Sequence, residues 1–162
     1  MDILFIFGAK YLFVLSIILS AVYFFRAPRE VKKEIFIFAL FTLPLTFLLG
    51  VLANHLYINP RPFVVQNFIP LISHAMDNGF PSDHMLLLSA IATIFSFFSR
   101  RRAMWLWIIA FLVGISRVYV GVHHWIDIFG SVGIAIISGF SVYYIQRVIL
   151  GIYKNNFRKT NE

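Results

Sequence analysis

Polar positions are sparse along this chain, and they break the apolar positions into five long blocks. The blocks cover roughly residues 3–25, 34–56, 82–99, 103–120 and 125–150. A helix needs about 20 mostly apolar residues to cross the hydrocarbon of a bilayer, so each block predicts a membrane-spanning helix. The third is the shortest. At 1.5 Å per residue it still reaches about 27 Å if it starts at Ser82, and Pro81 before it suits a helix start. The first block lacks the basic leader and small-residue exit of a cleavable signal peptide and is read as a span. The pattern therefore predicts an all-α fold: a polytopic membrane helical bundle of about five transmembrane helices. Residues 1–162 form one integral-membrane domain in this reading, with residues 153–162 as a polar cytoplasmic tail.

Composition supports the bilayer as solvent. The chain is 60% hydrophobic and 13% charged, where an ordinary soluble domain carries about 25% charged residues. There is no cysteine, which excludes disulfides, zinc–thiolate sites and thiol nucleophiles. The net charge of +7 raises the question of nucleic acid. The basic residues answer it, because most sit at block edges, where membrane proteins keep cytoplasmic anchors. Arg26, Arg29, Lys32 and Lys33 follow the first block, Arg100 to Arg102 follow the third, and Lys154, Arg158 and Lys159 follow the fifth. If all five blocks span, these segments share one side. That side is the cytoplasm by the positive-inside tendency, leaving the N-terminus outside and the C-terminus inside. No nucleic-acid partner is expected.

The same topology sends all five histidines (His55, His74, His84, His123 and His124) to the outer side, with Asp77, Asp83 and Asp127. Three short stretches meet there: "NPRPF", "FPSDH" and "SRVYVGVHHWIDIFG". Each offers something an anionic phosphate ester needs. Arg61 and Arg117 carry planar forks of donors that match phosphate oxygens and stay charged. Ser82 and Asp83 open a helix, where free backbone N–H groups bind anions. His123 and Asp127 are four apart and share a face where the fifth helix or its first turn includes both. A carboxylate on one imidazole nitrogen fixes the tautomer and leaves the other nitrogen as a nucleophile. His84 is then left to protonate the departing oxygen and to activate water. Plainer readings exist for each residue alone: Arg117 as a snorkelling anchor, Asp127 as a helix-start charge, the histidines as interfacial residues. "HHWID" also reads as a set of metal ligands. Against the metal stand the single carboxylate, the diverging directions of adjacent histidines and two nearby arginines.

Those residues carry a resemblance. "RP", "PSDH" and "SRVYVGVHHWID", spanning residues 61–127, look like the three-part signature of the type 2 phosphatidic acid phosphatase superfamily of membrane lipid phosphatases. The third part matches in full: Ser116, Arg117, His123 and Asp127 at the family spacing. The resemblance implies His123 as nucleophile, Asp127 as its partner and His84 as general acid. It implies phosphate binding by Arg61, Ser82, the backbone at Asp83 and Arg117, with no metal or other cofactor. Two positions depart from the family. Asn54 stands where a lysine is expected, and is assigned to phosphate binding as a donor, with Lys10 or His55 as partial compensation. Asp83 stands where glycine is usual, so its side chain is expected to turn away, toward Lys10 or a main-chain donor. The "LISHAMDNGFPSDH" stretch resembles the bacitracin-resistance type of undecaprenyl-diphosphate phosphatase. That type implies a polyprenyl diphosphate substrate at the outer face of the cytoplasmic membrane, with Phe63, Phe68 and Phe80 at the pocket mouth. The alternatives are a phosphatase of phosphatidic acid or phosphatidylglycerol phosphate, and a non-catalytic lipid-binding protein.

Overall fold

A computed structural model describes the backbone of residues 1–159 and the side chains of residues 1–149. The helices are α1 (Asp2–Phe25), α2 (Arg29–Leu56), the one-turn α3 (Pro62–Val65), α4 (Asp83–Ser96), α5 (Arg100–Tyr119) and α6 (Trp125–Lys159). There is no strand among the described residues; Pro60 and Asn78 form an isolated bridge. The side chains of the expected tail, residues 153–162, and the backbone of its last three residues lie outside the described residues.

The helix boundaries follow local chemistry. α1 stops before Ala27 and Pro28, because a proline disfavours helical geometry in the residue before it. Pro62 opens α3, where its missing N–H costs nothing. Four helices are long and apolar enough to cross a membrane: α1, α2, α5 and the Trp125–Ile149 part of α6. The third predicted block is shorter than expected. Only 14 of its residues are helical, Asp83–Ser96, and at 1.5 Å per residue that is about 21 Å, less than the hydrocarbon thickness.

The reason is position. α4 is the bundle's axis, with nine of its residues buried against its neighbours, so its length is not set by lipid. It runs beside α6 throughout. Its start is tied to the start of α6 by the Ser131 hydroxyl, which donates to the Ser82 carbonyl at 3.0 Å. Beyond its far end, Phe97 stacks on Tyr143 with ring centroids 4.9 Å apart. Helices in lipid gain little from the hydrophobic effect and associate through close packing of small residues. Gly114 illustrates this: a Cβ there would stand 3.0 Å from Ile128 and 3.3 Å from the Met85 sulfur. At Gly8 a Cβ would run into the Ser116 hydroxyl, so this glycine lets α1 press against α5 beside Arg117. The outward faces are oily, with Leu4 75% and Phe47 65% exposed. The end of α2, the loop before α4 and the start of α6 meet at the first turn of α4.

Candidate active site

Four buried side chains form a bonded cluster over the start of α4. Arg61 precedes α3 and is held between two prolines. Its Nε–H donates to Asp77 Oδ1 at 2.6 Å, and Nη1 donates to the Val122 carbonyl at 2.9 Å and to His123 Nε2 at 3.3 Å. Arg117 lies in the last turn of α5. Its Nη2 donates to His123 Nε2 at 3.3 Å and to His74 Nε2 at 3.2 Å, while Nη1 reaches the Ala9 carbonyl at 3.5 Å.

These contacts assign the tautomer of His123. Guanidinium nitrogens can only donate, so Nε2 carries the lone pair and Nδ1 carries the proton. Nδ1 faces Asp127 Oδ2 at 3.3 Å. The carboxylate is itself held: the His124 N–H donates to Oδ2 at 2.8 Å and Asn59 Nδ2 donates to Oδ1 at 2.7 Å. His123 is 2% exposed and Asp127 fully buried. Burial lowers the His123 pKa; the bond to Asp127 opposes this, and the two arginine charges add to the lowering, for a net fall below 6.5. His123 is therefore neutral at pH 7, with its free nitrogen aimed between two cations.

His84 stands in the first turn of α4, edge-on to Phe13 of α1 with ring centroids 4.8 Å apart. It lies within electrostatic reach of Arg117, His123 and His74. Ser82 caps α4 and is fully buried, and its hydroxyl has no partner. Arg117 Nε and His74 Nδ1 are likewise buried without a hydrogen bond. The Ala75 carbonyl is near enough to favour a charged His74 ring, but burial and the two arginines keep its pKa below 6.5. A buried donor without an acceptor costs about 1–3 kcal/mol. The Ser82 hydroxyl and Arg117 Nε, with the free N–H groups at the start of α4, suit the oxygens of a phosphate.

Other expected residues lie elsewhere. Asn54 gives its Nδ2 to the Phe80 carbonyl at 2.7 Å, and its main-chain carbonyl accepts from Asn78 at 2.8 Å. It braces the loop before Ser82. Asp83 does turn away from the cluster. Its side chain is exposed and faces a groove beside Asn54 and His55 of α2, not Lys10, which is exposed on α1. His55 bonds the Val51 carbonyl of its own helix at 2.8 Å. His124 Nε2 sits 3.2 Å from the Pro60 carbonyl, so the two adjacent imidazoles diverge and do not face one ion. Of the expected mouth aromatics, Phe63 is buried and Phe80 is wedged against Gly130 and Tyr57. Only Phe68 is exposed, where it covers Gly121. A left-handed φ of 83° at Gly121 requires a glycine at that turn.

Four residues of the 57–81 loop were not assigned from sequence. Asp77 holds Arg61, His74 holds Arg117 and Asn59 holds Asp127. Asn78 ties the loop together, accepting from the Asn59 and Phe80 N–H groups at 2.9 and 3.1 Å. Gly79 makes room: a Cβ there would stand 3.0 Å from Asp127 Oδ2. The sequence signal was the density of Asn, Asp, His and Gly in a segment with no helical period.

Comparison with known proteins agrees with the geometry. The PAP2 superfamily model matches residues 33–149. Undecaprenyl-diphosphatase BcrC of Bacillus subtilis is 34% identical over 145 residues, covering 86% of this chain and 72% of that protein. The crystal structure of Aquifex aeolicus LpxE superposes with a TM-score of 0.70 at 26% identity, covering 88% of this chain and 85% of the other. A PAP2-type phosphatidylglycerolphosphate phosphatase from Bacillus subtilis gives a TM-score of 0.59 at 28% identity, covering 90% and 74%. The bundle, the buried His–Asp pair between two arginines and these matches lead to one assignment: the chain belongs to the PAP2 superfamily and is an integral-membrane lipid phosphatase.

Proposed function

We propose that this chain removes the terminal phosphate of a polyprenyl diphosphate of the undecaprenyl kind through a phosphohistidine, returning the carrier lipid to cell-wall synthesis. The observation that carries the mechanism is the His123 ring, with its Nε2 lone pair between two guanidinium groups and its Nδ1–H on Asp127. The incoming phosphate oxygens replace Nε2 as acceptors for Arg61 and Arg117, and take bonds from Ser82 and the first N–H groups of α4. Nε2 attacks phosphorus in line, and the bond to the bridging oxygen breaks. His84 donates its proton to the departing polyprenyl phosphate. Asp127 stabilises the cation formed on His123. His84 then takes a proton from water, whose oxygen attacks phosphorus. The P–N bond breaks, and inorganic phosphate leaves with His123 neutral again.

The substrate class rests on the BcrC relative, named an undecaprenyl-diphosphatase. The basic residues flanking the spans support an active site on the extracytoplasmic face of the cytoplasmic membrane. Phosphate release from undecaprenyl diphosphate, phosphatidic acid and phosphatidylglycerol phosphate in detergent tests the reading. Preference for undecaprenyl diphosphate is expected, and preference for a glycerolipid overturns it. The glycerolipid reading has its own support in the phosphatidylglycerolphosphate phosphatase likeness. If His123→Ala leaves turnover intact, the phosphohistidine mechanism fails; if no lipid phosphate is hydrolysed, a lipid-binding role remains.

A further inference from the structure

Arg61 and Arg117 donate to the same imidazole nitrogen, His123 Nε2, yet their own anchors differ in charge. Arg61 is fixed by a carboxylate, with Asp77 Oδ1 2.6 Å from its Nε. Arg117 is fixed by an imidazole, with His74 Nε2 3.2 Å from its Nη2. Nη2 carries two hydrogens. One points to His74 and the other to His123, whose rings stand 6.1 Å apart and are inclined at 74°. A guanidinium only donates, so His74 Nε2 holds a lone pair and the ring proton is on Nδ1. The contact requires a neutral ring: an imidazolium has no lone pair to offer and would set a third cation beside Arg117 and Arg61. Burial and the two arginine charges hold the His74 pKa below 6.5. The ring is placed by contacts of its own loop. The Leu71 N–H donates to the Val120 carbonyl at 3.1 Å, and Ile72 packs with Ala9, Val120 and Val122. These contacts seat the chain against α1 and the end of α5 just before His74.

The charge of the anchor matters because of what surrounds it. Two cations, Arg61 and Arg117, share the cluster with two carboxylates, Asp77 and Asp127. Both carboxylates are placed where they oppose an incoming anion least. The Asp77 side chain is 59% exposed, so water screens it. Asp127 lies on the Nδ1 side of His123, away from Nε2. Position 74 has no such shelter. Its ring nitrogen touches the same Nη2 that lies 3.3 Å from the attacking nitrogen, so a carboxylate there would cancel the charge of Arg117 beside the phosphate. A neutral acceptor orients the same N–H and leaves that charge intact. We propose that His74 is a positioning residue for phosphate binding: its neutral Nε2 takes one hydrogen of Arg117 Nη2, aims the other at the reaction centre, and leaves the guanidinium charge to the phosphate. This rests on the reading of Arg117 as a phosphate ligand and holds for any lipid phosphate. When phosphate arrives, its oxygen takes the hydrogen now given to His123, and the bond to His74 keeps Nη2 in place.

Variants that separate charge from acceptor test it. Glutamine and glutamate are of one size and both offer an oxygen, but only glutamate is charged. His74→Gln, His74→Glu and His74→Leu are compared by the inhibition constant of inorganic phosphate against hydrolysis of a lipid phosphate in detergent. His74→Gln should stay within about threefold of wild type, and His74→Leu, which leaves Nη2 short of an acceptor, should bind phosphate about tenfold more weakly. His74→Glu should bind it about tenfold to a hundredfold more weakly than His74→Gln, through repulsion at short range. KM should move with the inhibition constant and kcat should change less, because the guanidinium holds phosphate in ground and transition states alike. Equal constants in the Gln and Glu variants overturn the proposal, and so does a Gln variant as weak as the Leu variant. If the variants do not fold, the wild type decides. Nitrogen NMR of isotope-labelled histidines should show His74 neutral at pH 7 with its proton on Nδ1; a cationic ring, or a proton on Nε2, overturns the proposal. Failure of the phosphate-ligand reading looks different: Arg117→Ala itself then leaves the inhibition constant unchanged.

Discussion

Asp127→Asn isolates the contribution of tautomer control. The Asp127 carboxylate accepts from three donors: His123 Nδ1 at 3.3 Å, the His124 N–H at 2.8 Å and Asn59 Nδ2 at 2.7 Å. An asparagine has one oxygen and one NH2 group in the same space. If its oxygen stays at the Oδ1 position and keeps the Asn59 bond, its NH2 takes the Oδ2 position and points at His123 Nδ1 and the His124 N–H. That nitrogen must then accept, and the proton moves to Nε2. Nε2–H faces the donors of Arg61 and Arg117, so the lone pair needed for attack is gone. Loss of the correct tautomer in a buried His–Asp pair costs about 10⁴ in turnover in a serine-protease precedent, or about 5 kcal/mol of barrier at 1.36 kcal/mol per tenfold. The same fall in kcat is expected here, with a folded protein and near-normal binding of an inert diphosphate. Phosphate release gives kcat, and alkaline quenching of enzyme turning over radiolabelled substrate reports the acid-labile phosphohistidine, which should disappear. A variant within tenfold of wild type, correctly folded, would refute the assignment of Nε2 as the attacking atom.

His84→Ala should slow the wild-type reaction about 10²–10⁴-fold, and the deficit should be larger on phosphatidic acid than on undecaprenyl diphosphate. A leaving phosphate with a pKa near 6 needs a proton less than an alkoxide does; equal deficits would argue that His84 does not protonate the leaving group. Asp77→Asn removes the charged partner 2.6 Å from Arg61 Nε. KM should rise about threefold to tenfold with kcat nearly kept, because a less fixed guanidinium binds phosphate more loosely in ground and transition states alike; a selective fall in kcat would contradict this. The pH profile follows from the depressed His123 pKa. The neutral, reactive ring persists down to that pKa, so the acid limb of kcat/KM, corrected for substrate ionisation, should lie below pH 6.5. An acid limb centred above 6.5 would mean that the arginines and burial do not dominate.

Much of the site was legible because it rests on local periodicity. His123 and Asp127 are four apart; His123 lies two residues before α6, outside the helix expected to carry both, and the short spacing still brings its ring to the first-turn carboxylate. Arg117 near the end of a span and Ser82 before another place polar groups at helix ends, whatever the neighbours. The restraints on those groups come from far along the chain. Asp77 reaches Arg61 across 16 positions, His74 reaches Arg117 across 43 and Asn59 reaches Asp127 across 68. Asn54, whose place in the motif suggested phosphate, gives its amide to a carbonyl 26 residues away, a bond that no local spacing reveals.

By itself the sequence determined the all-helical membrane class and the spacing that pairs His123 with Asp127, because bilayer thickness and chain geometry act on neighbours in the chain. Only the packed bundle decided that α4 is a short central axis and that a loop locks both arginines. Those features depend on which helices touch, and that is settled by small-residue contacts such as Gly8 on Ser116, whose partners no local spacing reveals.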